Sequence, residues 1–368
     1  MSGAIDIIYC YRDREAERVE ASLQSLASQE NQDFHVTFID YGSRDANSKA
    51  VETICKNFSF CSYYYINSLG KMWNRGDALN QGILLSRGDY LFFSDIDMLF
   101  LPGFIDLLHR LKLNNKANFF PVGYLSPRSS KKIKKTALEK LPFKKSGDYA
   151  SGMVLAPRQH LQKINGYHTF YSLWGLEDND LRHRLQLHNF AIAQVMEVYL
   201  LHQYHTPVPE DQSLPEGWIQ FMKDHFKSLE QQKENTSGIT QGLSVMGRPA
   251  LQRLQDPGTK VTELAVRKLY LRHILLEAIS RKTPTAFYFK AVLPDQPGLV
   301  HRYGKTLSKL LKRTGLHVDL RSPYDSQYVT KKEILSEIYF LLKSSAPAIL
   351  DYYLEEKKDG VQLILVLR

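Results

Sequence analysis

The sequence predicts an α/β fold: a mostly parallel sheet with helices on both faces, followed by a smaller α+β domain. Three observations carry this expectation. Strand and helix signals alternate through the first half, polar residues gather where the strand signals end, and a stretch punctuated by glycine and proline precedes a second apolar pattern. The chain has 368 residues, 43% hydrophobic and 24% charged, which are globular proportions and enough length for two domains.

Taken in order, Ile5-Asp6-Ile7-Ile8-Tyr9-Cys10 is a short β-rich run, and Val19, Leu23 and Leu26 mark one face of the helix after it. Phe34 to Ile39 alternates as a strand, Val51, Ile54 and Cys55 suggest a second helix, and Phe60 to Ile66 a third strand. Ala78, Leu79, Gly82 and Ile83 mark a helix ahead of the buried-looking strand Tyr90-Leu91-Phe92-Phe93. Further on, Leu181 and Leu185 have helical spacing, and Ala191 to Leu201 reads as one strand. The expected domains are 1–227, a polar linker 228–258, and an accessory α+β domain 259–368 whose role the sequence does not reveal. In that last domain Val261, Leu264, Ala265, Leu269, Leu275, Leu276 and Ile279 describe an amphipathic helix, followed by a strand from Ala286 to Leu293. The turn Pro294-Asp295-Gln296-Pro297-Gly298, a helix to Arg313 and a strand Leu316 to Leu320 come next. Thr330 and Glu333 form a capping-box pattern for a helix bearing Ile334, Leu335, Ile338, Leu341 and Leu342, and two strands close the chain.

No window approaches ~18 consecutive apolar residues, and Met1-Ser2-Gly3-Ala4 leads into a strand without a basic leader. Cys10, Cys55 and Cys61 lack metal-ligand spacing. The expectation is a soluble, cytoplasmic protein with reduced thiols. Much of the net charge of +9 lies in Arg128-Ser129-Ser130-Lys131-Lys132-Ile133-Lys134-Lys135 with Lys140, Lys144 and Lys145. A solvated loop is the plain account of that run; an anionic membrane surface, met peripherally at its inner face, or an acidic acceptor is the functional one. No nucleic-acid motif accompanies the charge, so no nucleic-acid partner is expected.

The expected strand ends carry the polar residues. Strand one runs into Tyr11-Arg12-Asp13-Arg14, strand two into Asp40-Tyr41-Gly42-Ser43, and strand four into Ser94-Asp95-Ile96-Asp97. In open parallel sheets ligands sit at such ends. With no GxGxxG and no GxxxxGK[ST], neither a Rossmann dinucleotide site nor a P-loop is indicated. Asp95 and Asp97, one residue apart after an apolar strand, can diverge, one toward a ribose and one toward a hard divalent cation that also binds a diphosphate. Glu177, Asp178 and Asp180 open a helix, where carboxylates are ordinary first-turn residues. Trp174-Gly175 just ahead adds a flat apolar face of the kind a sugar ring stacks on.

These residues resemble a known family. Asp95-Ile96-Asp97 is similar to the DxD motif of GT-A nucleotide-sugar glycosyltransferases, and Met72-Trp73-Asn74-Arg75-Gly76-Asp77-Ala78-Leu79-Asn80-Gln81-Gly82 to the segment preceding it in β1,4-galactosyltransferases. Ser151-Gly152-Met153-Val154-Leu155, Ile164-Asn165-Gly166-Tyr167 and Trp174-Gly175-Leu176-Glu177-Asp178-Asn179-Asp180 resemble the "GG…INGF…WGGEDDD" block of those enzymes and of bacterial chondroitin-type polymerases. The likeness covers roughly residues 1 to 210 and departs at Leu176, where the family usually has glycine, and in having no membrane anchor.

The resemblance implies a GT-A fold and a set of roles. Asp178 would be the general base, Asp97 a metal ligand and Asp95 a nucleotide contact. Tyr11, Arg12, Arg14 and Arg75 would face the nucleotide and its phosphates, and Asp40 the uracil or ribose. Trp174, Glu177 and Gly152 would meet the sugars, and Tyr149 lies near a family position whose bulk limits an N-acetyl group. A histidine after the next strand completes the family's metal site: His202 by alignment, with His205 as alternate. A lone histidine at a strand end is otherwise an ordinary hydrogen-bonding residue.

The implied activity is an inverting, Mn²⁺- or Mg²⁺-dependent transfer of a galactose- or N-acetylgalactosamine-type sugar from a UDP-sugar to a saccharide or glycolipid acceptor. The chemistry suits the residues independently, since a departing diphosphate needs a cation and the acceptor hydroxyl needs a carboxylate base. The alternatives are a non-catalytic nucleotide-sugar or saccharide binder on the same scaffold, and a basic peripheral module.

Overall fold

The computed structural model describes residues 4–112, 115–147, 152–206, 214–231, 261–265, 276–277, 279–280, 285–290, 331–345, 348–358 and 360–367. The chain divides into two compact units, Met1–Met246 and Gly247–Arg368. That division falls inside the stretch 228–258 read as a linker.

In the first unit the alternation is the one the sequence predicts: β1 (Ile5–Tyr11), α1 (Ala16–Ala27), β2 (His35–Asp40), α2 (Asp45–Lys56), β3 (Cys61–Tyr65), α3 (Arg75–Leu85) and β4 (Tyr90–Asp95). Then follow β5 (Met98–Phe100), α4 (Phe104–Leu111), β6 (Ala117–Phe119), β7 (Gly123–Leu125), α5 (Pro127–Ser130) and β8 (Phe143–Lys145). The unit continues with β9 (Val154–Pro157), α6 (Arg158–Lys163), α7 (Glu177–Leu187), β10 (Ile192–Gln194), β11 (Leu200–His202) and α8 (Trp218–Gln231). Seven strands form one sheet in the order β10-β6-β9-β4-β1-β2-β3, parallel except for β9, which runs against both neighbours. This is an α/β architecture with a mostly parallel central sheet.

Strand β1 is buried along its whole length because both sheet faces are covered. Its alternate residues divide between two cores. Ile5, Ile7, Tyr9 and Tyr11 pack with Val19, Leu23, Val51 and Phe104, while Ile8 and Cys10 pack with Ala78, Leu79, Ile83, Leu161 and Leu181. Gly82 lets α3 lie close on the sheet, since a Cβ there would meet the Ile8 side chain at 2.2 Å.

A second sheet, β5-β11-β7-β8, grows from the end of the first, and Asp95-Ile96-Asp97 is the link between β4 and β5. The second unit holds β12 (Val261–Ala265), β13 (Thr285–Lys290), a helix Lys331–Ser344, β14 (Ile349–Glu356) and β15 (Gly360–Leu367), with sheet order β12-β13-β15-β14.

Three local expectations change. Val261 to Ala265 is a strand parallel to β13 and not the start of a helix, because Val261, Thr262 and Leu264 suit a pleated ladder and the strand gains a partner there. The run Ala191 to Leu201 is two short strands in different sheets, β10 beside β6 and β11 between β5 and β7. The basic stretch after Arg128 is not a bare loop: Ser126 caps α5 by accepting from the Ser129 N–H, and β8 pairs with β7. The expected turn 294–298 and the elements between it and residue 320 lie outside the described residues.

Candidate active site

Register places the polar residues in a row. Along the carboxyl ends of β1, β2 and β4, Tyr11 is opposite Asp40 and Cys10 opposite Asp95. Helix α3 ends over this row because Asn74 caps it: its Oδ1 accepts from the Asp77 N–H at 2.9 Å, while its Nδ2 donates to Thr169 O and Ser172 Oγ. Arg75, the first residue of α3, therefore points into the site from a fixed backbone.

Its guanidinium is the hub of the constellation. Nε donates to Asp95 Oδ1 at 2.8 Å, Nη1 to Asp178 Oδ1 at 2.7 Å and Nη2 to Gly152 O at 3.0 Å, with Glu177 Oε1 3.6 Å from Nη1. Such charge-assisted bonds are short and directional, so one side chain fixes Asp95 and Asp178 relative to each other. Burial opposes the charge on Arg75, and Asp178 and Asp95 hold it ionised. The sequence expectation had Arg75 facing phosphates; here its donors are engaged with carboxylates and a carbonyl.

Glu177 and Asp178 begin α7, which is seated by Leu181 and Leu185 in the core. The third acid, Asp180, turns inward to a buried pair with Arg184 at 2.7 Å and takes no part in the site. Among the described residues Asp178 Oδ1 is held by Arg75, and Oδ2 faces Gly152, where a Cβ would come within 3.2 Å. A glycine at 152 thus keeps the approach to that oxygen open.

Burial raises both carboxyls, against the pull of Arg75. Asp178 goes up, chiefly by desolvation. Glu177 is pushed up to about 7, first by burial and then by the charge of Asp178. The unfolded chain ionises Glu177 near its ordinary 4.5, so the folded state binds the extra proton between those values. The corresponding stability is complete below about 4.5 and is lost as pH rises through about 7. Glu177→Gln should therefore gain in melting temperature over the parent as pH rises from about 5 to about 8, by on the order of a few °C. Thermal unfolding at a series of pH values checks this, and a difference that stays flat with pH would count against a buried, proton-holding Glu177.

Asp97 is the last residue of the link between β4 and β5, immediately before β5. Strands β5 and β11 pair with Met98 opposite His202, and Gln203 N donates to Asp97 O, so the register delivers both histidines to this carboxylate. His202 Nε2 is 3.5 Å from Asp97 Oδ1 and His205 Nε2 3.4 Å from Oδ2; one donor atom from each residue falls within a 4.8 Å cluster. Burial raises the Asp97 carboxyl, the histidines opposing. One carboxylate oxygen from the buried Asp97 and two imidazole nitrogens converge there, a donor set that fits a divalent cation. The sequence reading chose between His202 and His205; the structure brings both.

The remaining expected residues are placed variously. Tyr11 is buried, its hydroxyl donating to Arg14 O. Arg12 donates to Ser68 O, Ser68 Oγ and Lys71 O, and lies over the Tyr41 ring. Arg14 is exposed. Asp40 is fully buried, accepting from Ser43 N–H and the Tyr63 hydroxyl. Trp174 is 40% exposed. Tyr149 lies outside the described residues.

The loop carrying Trp174 is tightly built. Leu173, Gly175 and Leu176 have φ of +63°, +90° and +74°. Leu176 thus occupies, where the resembled family has glycine, a left-handed conformation that costs a side-chain-bearing residue on the order of 1 kcal/mol or more. Sequence reasoning missed what supports this loop: the Trp218 indole of α8 donates to Ser172 O, and Leu173 N to Trp73 O. The only signal was a tryptophan opening an amphipathic helix.

Residues 7–164 match glycosyl transferase family 2, and residues 135–206 match the family described as the N-terminal domain of galactosyltransferase. No curated protein matches the chain. Among solved structures it is similar to the mannosyltransferase PcManGT from Pyrobaculum calidifontis, in complex with GDP-Man and Mn²⁺, at 13% identity and a TM-score of 0.43, over 94% of this chain and 86% of that one.

Proposed function

We propose that the protein, whose residues 7–164 match glycosyl transferase family 2 and 135–206 a galactosyltransferase domain, is a glycosyltransferase that moves a hexose or N-acetylhexosamine, of galactose type, from a UDP-sugar to a hydroxyl of a saccharide or glycolipid. The transfer inverts the anomeric centre, and an α-linked donor gives a β-linked product. The observation that carries this reading is Asp178, pinned through one oxygen by Arg75 and open at the other, in a constellation that Asp95 links to the Asp97, His202 and His205 set.

In the reaction the acceptor oxygen bonds to the anomeric carbon as the bond from that carbon to the diphosphate breaks. The acceptor proton passes to Asp178 Oδ2, and UDP leaves. Trp174 supports the sugar rings and Glu177 receives a hydroxyl. Asp97, His202 and His205 would hold the cation, which when bound neutralises charge on the departing diphosphate. Protein ligands alone leave its coordination incomplete, so its binding strengthens with UDP present. The three free thiols suit a reducing, cytoplasmic setting, and no described helix is long and apolar enough to cross a membrane.

Incubation with a panel of UDP-sugars and Mn²⁺, with and without saccharide acceptors, should release UDP from a galactose-type donor. EDTA should abolish the release and Mn²⁺ restore it best. His202→Ala and His205→Ala should each weaken Mn²⁺ activation by ~10–100-fold or more, the cost even of losing groups one step removed from a metal. Absence of UDP release from every donor overturns the reading; a wild-type Mn²⁺ titration in both histidine variants would leave the cation to carboxylates alone.

A further inference from the structure

We propose that the exposed basic face of residues 128–145 docks on an anionic phospholipid surface, so that the acceptor reaches the active site from a membrane. The docking half stands on the surface itself; the acceptor half rests on the glycosyltransferase reading above.

The face is built on the second sheet. Helix α5 and the turns after it present Arg128, Lys131, Lys132, Lys134 and Lys135 to solvent, and edge strand β8 presents Lys144. None of these six makes an ion pair among the described residues, and Glu139 is the only acid in the segment. A concentration of unneutralised charge on one face is disfavoured by its own repulsion unless a counter-charge meets it.

The identity of the cations argues for a surface. Of the eight cations between residues 128 and 145, seven are lysines, whose flexible point charges suit diffuse attraction to headgroups; a shaped anion pocket draws on the planar fork of arginine. Among them sit two exposed aromatics, Phe143 at 42% and Tyr124 at 48%. In the β7–β8 register Phe143 is opposite Leu125 and Lys144 opposite Tyr124. Alternation along the pair puts Tyr124 and Lys144 on one side, with His202, and Phe143 with Leu125 on the other, so an exposed ring borders the basic segment on each side, as at an edge that meets an anionic layer over an apolar one.

The face adjoins the active site. The Tyr124 ring lies 5.5 Å from that of His202, and Ser130 Oγ accepts the Tyr204 N–H at 2.8 Å, one residue before His205. Docking through Lys131 to Lys135 and Phe143 therefore brings the Asp97, His202 and His205 set to the headgroup layer.

The test is sedimentation of the full chain with phosphatidylcholine vesicles, with and without phosphatidylserine, over a salt series. Binding should require phosphatidylserine and fall as salt rises. The variant Lys131→Ala/Lys132→Ala/Lys134→Ala/Lys135→Ala should lose at least ~10²-fold in vesicle affinity, at about fivefold per lysine, and Phe143→Ala a smaller amount that persists at high salt. UDP release with a soluble acceptor should be unchanged in both variants, which separates failure of docking from failure of the enzymatic reading and shows that the variants fold. Equal binding to neutral vesicles, or full binding by the fourfold variant, overturns the proposal. So does retention of the protein by a soluble anionic polysaccharide or by DNA with no vesicle binding, which would give the face to that polymer instead.

Discussion

Asp178→Asn is expected to lower turnover by about 10²–10⁴-fold while leaving UDP-sugar binding and Mn²⁺ affinity in place. The amide is isosteric, and its oxygen can still accept from Arg75 Nη1, so the geometry that places residue 178 survives. What disappears is the capacity of the second oxygen, beside Gly152, to take a proton. Steady-state UDP release with acceptor, set beside donor affinity by calorimetry, separates the two effects. Undiminished turnover would remove Asp178 from the role of base, and loss of donor affinity equal to the loss of turnover would make it a binding residue.

Arg75→Met should be the most damaging substitution in the site. The side chain is 13% exposed and serves Asp95, Asp178 and Gly152 O at hydrogen-bond distance, with Glu177 near. Removing the cation strands like charges in a desolvated place, which in comparable buried pairs costs about 3–5 kcal/mol. Protonation of Glu177 and Asp178 would relieve part of that cost and at the same time disable the base. Arg75→Lys keeps a charge that cannot span the same acceptors. Its acid limb of kcat/KM should move to higher pH, because Asp178 loses the neighbour that opposes its upward shift. Urea unfolding and a pH–rate profile check the two parts. A stable, active Arg75→Met protein with an unmoved profile would show that the arginine is dispensable.

The sequence announced the parts of this site that are local. A carboxylate pair after an apolar strand and an acidic helix start after Trp174-Gly175 are patterns within a few residues, governed by strand ends and helix caps. The tie between them was not legible, because Arg75 meets Asp95 and Asp178 across 20 and 103 residues of chain. The same holds for His205, whose value depends on the β5–β11 register. Asp180 looked equivalent to its neighbours and is not, since helical rotation turns it toward Arg184. In the second unit Val261, Leu264 and Ala265 satisfy a helical spacing as readily as a strand when the run is short, and pairing with β13 decides. The apolar run 191–201 was long enough for one strand, but its two ends are claimed by different sheets.

The antiparallel β9 has a consequence during synthesis. Strands β1 to β4 leave the ribosome as a contiguous, locally connected block, yet β4 has its second neighbour only when Val154–Pro157 arrives. At roughly 5–20 residues per second, Leu91-Phe92-Phe93 waits for seconds as an open, apolar sheet edge, the kind of template on which nascent chains pair with one another. Strand β6 emerges during that wait, and it too lacks its β9 partner. A chain halted between Phe119 and Val154 would carry the open edge of β4 and a β6 with neither of its neighbours, β9 and β10, so the gap that β9 fills is where a stalled or truncated product turns from a folding intermediate into an aggregate.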